Sequence, residues 1–228
     1  VLVMRGISWA MLKTAWQGDF RRLLALNRDI MLRSLLLQLC FGAITVFGAR
    51  LGSEVVAVNA VLMTMLTFTA YALDGFAYAV EAHSGQAYGA RDGSKLLEVW
   101  RAACRQAGVV ALAFALIYAL LGEHIVALLT SLPELRQLAD RYVLWQAVLP
   151  VIGVWCYLLD GMFIGATRGA EMRNSMAVAA AGFALTMLAL PLLGNHGLWL
   201  ALAVFLALRG LSLAFIWRRH WKNNSWFA

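Results

Sequence analysis

Long apolar runs, more than any motif, decide what this chain can fold into. Six segments of roughly membrane-spanning length are nearly free of charge: 30–48, 55–79, 106–121, 142–166, 175–193 and 198–217. A crossing helix needs about 20 mainly apolar residues. In lipid every backbone N–H and C=O must be satisfied within the protein, so the runs predict helices, and no strand alternation with a polar face argues for a barrel. Over the 228 residues the hydrophobic share is 62% and the charged share 14%. A water-soluble globule averages nearer half and a quarter. The expectation is an all-α, polytopic membrane protein, and a disordered chain or an ordinary soluble enzyme is excluded.

The net charge of +7 follows from topology rather than from nucleic acid. Lys and Arg collect on the cytoplasmic side of membrane proteins. With the segment before the first run placed in the cytoplasm, that side holds 15 of the 19 cations, Arg33 among them. The other side holds Arg50, Arg136 and Arg141, and Arg209 falls inside the sixth run. Both ends of the chain are therefore expected in the cytoplasm. No nucleic-acid motif is present.

Three regions are expected. Residues 1–29 comprise the apolar end of a preceding helix and an amphipathic cytoplasmic linker. Residues 30–217 form the six-helix lobe. Residues 218–228 make a basic, aromatic tail on the membrane surface. The chain opens on Val1, which reads as part of a longer polypeptide. Cys40, Cys104 and Cys156 form neither a metal motif nor a disulfide framework. With short loops, no His-Glu-x-x-His, no Gly-x-Ser-x-Gly and no Cys/His cluster, the sequence predicts no enzyme and no metal.

Function must then sit within the bundle, and ionisable side chains inside the runs are the informative ones. Each costs about 2.5–3.5 kcal/mol to insert and should face a partner or a watered cavity. Three stand out: Asp74, Asp160 and Arg209. The strings Tyr71-Ala-Leu-Asp74-Gly75 and Tyr157-Leu-Leu-Asp160-Gly161 agree at four of five positions, on helices expected to run in the same direction. The two acids should lie at similar depth and share a cavity, with Arg209 as counter-ion to one of them. Glu81 lies seven residues beyond Asp74 on the same face, and the polar run 81–89 continues that helix or lines an inner vestibule. Tyr71, Tyr157, Gln38 and Thr67 are candidate wall residues of a solute cavity. Gly161, Gly165 and Gly169 form a small-residue ladder that admits another helix backbone. Pro150 and Pro191 invite kinks. His83, His124, His196 and His220 are read as solvated.

The run Asp160-Gly-Met-Phe-Ile-Gly-Ala-Thr-Arg168-Gly169 resembles the signature near the tenth helix of the MATE (multidrug and toxic compound extrusion) transporters. The stretch Gly85-Gln86-Ala87-Tyr88-Gly89-Ala90-Arg91 resembles their eighth helix and its following loop. The resemblance implies a C-terminal six-helix lobe whose partner is a missing N-terminal lobe. It further implies an antiporter of the bacterial inner membrane that expels organic, often cationic or amphipathic, solutes. Protons or sodium ions drive the exchange, and no bound cofactor is needed. Sodium-linked members carry a glutamate on the seventh helix, where this chain has Gln38. Their tenth-helix acid falls about one turn before Asp160. Both departures favour protons, with Asp160 as main coupling acid, Asp74 assisting and Arg209 tuning them. Sodium-coupled export and flipping of a lipid-linked precursor by a related fold are the alternatives.

Overall fold

The computed structural model describes residues 9–228. Its helices are α1 (Trp9–Leu51), α2 (Ser53–Gly89), α3 (Gly93–Leu129), α4 (Pro133–Asp140), α5 (Val143–Gly165), α6 (Gly169–Met187), α7 (Leu190–Leu193) and α8 (Asn195–Lys222). No strand occurs among the described residues. Five of these helices are long and apolar enough to cross a membrane, spanning 20–51, 53–89, 93–129, 143–165 and 195–222. The fold is a helical, multi-pass membrane lobe.

The helix expected at 175–193 is present with shifted bounds. α6 starts six residues earlier, in the polar Gly169–Asn174 stretch, and stops at Met187. Pro191 sits in the first turn of the short α7, and Gly194 (φ 58°, ψ −136°) redirects the chain into α8. α6 is therefore helical but falls below the length and hydropathy of the other five. It remains tightly seated, because a Cβ on Gly182 would clash with the Leu208 side chain of α8.

The boundary expected at residue 29 is not a break. α1 is continuous from Trp9 to Leu51, and no proline interrupts it. The apolar end read at residues 1–4 lies outside the described residues. Within α1, Asp29 is buried and its carboxylate accepts from Arg173 at 2.6 Å and from Arg28 at 3.2 Å, tying α1 to α6.

α2 and α5 run parallel and pack most closely, for a reason legible in the glycine ladder. A Cβ on Gly161 would strike the Ala77 carbonyl. A Cβ on Gly165 would lie 2.7 Å from the Glu81 carbonyl and 2.9 Å from the Gly85 nitrogen. Gly169 faces α1 instead, with Leu26 2.7 Å from its virtual Cβ. At the far end, Asn59 of α2 and Asn195 of α8 exchange two amide hydrogen bonds of 2.8 Å, and Trp199 donates to the Asn59 carbonyl at 3.1 Å. Buried polar groups in hydrocarbon must find such partners.

The tail folds back onto the lobe. Asn224, at φ 51°, turns the chain back, and Trp226 inserts into the lobe at 1% exposure against Phe163, 5.2 Å between rings. Arg168 donates to the carbonyls of Ser225 (2.9 Å) and Trp226 (2.8 Å). His220 is not merely solvated, since Nε2 lies 2.6 Å from Glu171 and Nδ1 2.8 Å from the Ser225 hydroxyl. His196 accepts from the Trp145 indole at 3.1 Å, whereas His83 and His124 are exposed as expected.

Candidate functional site

Four helices meet around a cavity of about 330 Å³. α1 contributes Arg33, Leu37 and Phe41, which repeat every four residues on one face. α2 contributes Asp74, Tyr78 and Glu81, α5 contributes Tyr157, Asp160 and Ile164, and α8 contributes Arg209. The close α2–α5 approach sets this geometry. Gly161 brings Asp160 within a helical turn of Asp74 in depth, and Gly210 lets α8 come against the Cys156 backbone, a virtual Cβ lying 3.5 Å from its nitrogen.

Asp160 is 6% exposed, and a single oxygen, Oδ2, accepts from two guanidinium groups. One is Arg33 Nη2 at 2.6 Å and the other is Arg209 Nη2. Arg209 is 4% exposed and lies over the Phe205 ring, 5.5 Å from its centroid. A charge taken from water needs this density of partners, because a buried ion without them costs several kcal/mol. Asp74 makes no hydrogen bond and no ion pair among the described residues, and the same holds for the Glu81 carboxylate. Two guanidinium groups against three carboxylates leave the ionised cavity with one formal negative charge. One of its acids is bonded by two arginines, and the other two carboxylates make no ion pair among the described residues.

Asp74, Asp160, Arg209 and Tyr157 thus converge on one cavity. Gln38, Tyr71 and Thr67 do not line it. Gln38 is exposed on α1, Tyr71 is 73% exposed on α2, and the exposed Thr67 turns its hydroxyl back to the Met63 carbonyl at 2.8 Å. Residues 70, 74, 77, 78 and 81 of α2 line the cavity; Thr67 lies about one turn before the first of them, and Tyr71, between Ala70 and Asp74, is exposed. Arg33 was placed by the sequence among the cytoplasmic loop cations, yet it is an inner-wall residue with its Nε also buried. Its signal was present, since 33, 37 and 41 share one face, but its position at the edge of an apolar run looked like an interface anchor. No group of three or more His, Cys, Asp or Glu with metal-holding geometry occurs among the described residues.

Comparison with known proteins agrees with this architecture. The family model described as MatE matches residues 30–193. The chain is 81% identical over its whole length to DNA damage-inducible protein F of Escherichia coli (strain K12), of which it covers 50%. It is 24% identical over 184 residues, 80% of the chain, to Protein DETOXIFICATION 45, chloroplastic, of Arabidopsis thaliana, of which it covers 32%. The chain thus spans half the length, or less, of these curated relatives.

Proposed function

The chain belongs to the MatE family, and on that premise we propose that it forms the C-terminal half of a secondary antiporter that exports organic cations across the bacterial inner membrane in exchange for protons. The observation that carries the reading is the asymmetry of the two cavity aspartates. Asp160 is neutralised in place by Arg33 and Arg209, whereas Asp74 has no partner of its own.

An uncompensated carboxylate in a confined cavity is answered by whichever cation enters. When a proton occupies Asp74, the cavity loses its net negative charge and its attraction for a cationic solute. When the solute enters, the proton leaves. Competition for one charge is the coupling that antiport requires. The sequence alone ranked Asp160 first; this geometry supports Asp74 as the exchanging acid, with Asp160, Arg33 and Arg209 as the fixed frame that holds α1, α5 and α8 together. The membrane potential adds about 2.3 kcal/mol per charge per 100 mV to whatever drives the cycle. Flipping of a lipid-linked precursor fits less well, since an anionic headgroup calls for a cationic cavity and this one carries net negative charge.

The test uses the full-length protein in proteoliposomes with an imposed proton or sodium gradient and a fluorescent lipophilic cation as solute. Proton-driven efflux that is lost in Asp74→Asn is expected. Efflux driven by sodium alone, or unchanged in Asp74→Asn, overturns the coupling scheme.

A further inference from the structure

A second cavity, of about 360 Å³, opens between the basic end of α8 and the first turns of α6, and it shares no lining residue with the acid cluster. Its polar floor is built from Asn174, Arg219, His220 and Asn223. The one carboxylate in its lining, Glu171, is already paired with His220 at 2.6 Å and Arg168 at 3.4 Å. The Arg219 guanidinium has neither a hydrogen bond nor an ion pair among the described residues. The groove therefore presents an unanswered positive charge beside amide side chains.

Above that floor the two helices continue as apolar rails. On α8, Phe215 and Leu211 follow Arg219 at four-residue steps and are 69% and 66% exposed. On the antiparallel α6, exposed Val178 and Leu185 follow Asn174 on the same side. Residues four apart stack along one helix face. A cationic pocket at the cytoplasmic end with two apolar tracks running into the hydrocarbon has the shape and polarity of one phospholipid molecule. Basic pockets between helices on the cytoplasmic side attract anionic headgroups.

We propose that the α6–α8 groove is a binding site for an anionic phospholipid of the inner leaflet, its phosphate held by Arg219 with Asn174 and Asn223, and its acyl chains laid along Phe215–Leu211 and Val178–Leu185. The site is independent of the transport reading above. The same floor would also accept free phosphate, but the exposed rails assign it to a lipid.

The experiment measures the thermal unfolding midpoint of the full-length protein in non-ionic detergent. It is titrated with phosphatidylglycerol, with phosphatidylcholine of the same acyl chains, and with inorganic phosphate. A selective rise with phosphatidylglycerol is expected. Arg219→Gln should weaken that response about fivefold, the factor that one cation near an anionic surface is worth. Arg219→Lys should keep it, as should Arg101→Gln, which removes an exposed cation of α3 outside the groove. An equal rise with phosphatidylcholine, the same rise with inorganic phosphate, or a full response in Arg219→Gln each overturns the proposal.

Discussion

Asp74 and Asp160 sit in almost the same five-residue string, on parallel helices, within a turn of one another, yet their surroundings differ at every point. The tyrosine three residues before Asp74 is exposed, and the one before Asp160 lines the cavity. The glycine after Asp74 has nothing within 4 Å of a virtual Cβ, whereas the glycine after Asp160 abuts a backbone carbonyl. Asp160 holds two arginines and Asp74 none. A local sequence thus determines helix and depth, but partners come from whichever helix arrives at that face. α8 and α1 bring arginines that bond the acid of α5, and neither arginine makes an ion pair with Asp74.

The largest expected break in this comparison is Asp160→Asn. It leaves Arg33 and Arg209 without the carboxylate that bridges them, and removal of one partner from a buried ion cluster costs about 3–5 kcal/mol. A strongly lowered unfolding midpoint in detergent is the expected readout. Charge-neutral replacement of the whole cluster, Asp160→Asn with Arg33→Met and Arg209→Met, should recover part of that loss. If the single variant is as stable as the parent, the cluster is not a structural frame.

Next comes the glycine pair. Gly161→Ala forces α2 and α5 apart and should cost about 1–3 kcal/mol, as overpacking does in other interiors. Gly75→Ala should lie within about 0.5 kcal/mol of the parent, being a substitution into open space. Equal effects at both positions would mean that the helix approach seen at Gly161 is not present in the protein.

The smallest stability effect belongs to Asp74→Asn, within about 0.5 kcal/mol, because no partner is orphaned. Its consequence should be functional instead. Addition of a lipophilic cation to the detergent-solubilised full-length protein should release protons from the parent and from Gly75→Ala, and none from Asp74→Asn. Release that survives in Asp74→Asn but disappears in Asp160→Asn would invert the roles assigned to the two acids.

Much of this was legible beforehand. The apolar runs located five crossing helices, the Asp–Gly strings located two cavity acids, and the Gly161–Gly165 ladder located the closest helix contact. What escaped was a matter of reach. Arg33 and Asp29 lie at the edge of an apolar run, where a long charged side chain ordinarily points to the interface. Each turns inward here because another helix supplies its counter-charge, Asp160 in one case and Arg173 in the other. Gln38, Tyr71 and Thr67 stand out because polarity inside a run is conspicuous, and all three are exposed on this lobe rather than lining the cavity of the acid cluster.

The tail and α6 make the same point. Trp226 in a basic, aromatic segment has the composition of a surface anchor, and only the turn at Asn224 and the carbonyl-binding fork of Arg168 bring it into the core. The sequence by itself determined class, helix positions, depth and the demand that intramembrane charges be answered, because those follow from the free energy of placing single residues in hydrocarbon. The tertiary structure alone decided which charge answers which, and which acid is left open, because pairing depends on distances between residues 49 to 144 positions apart along the chain.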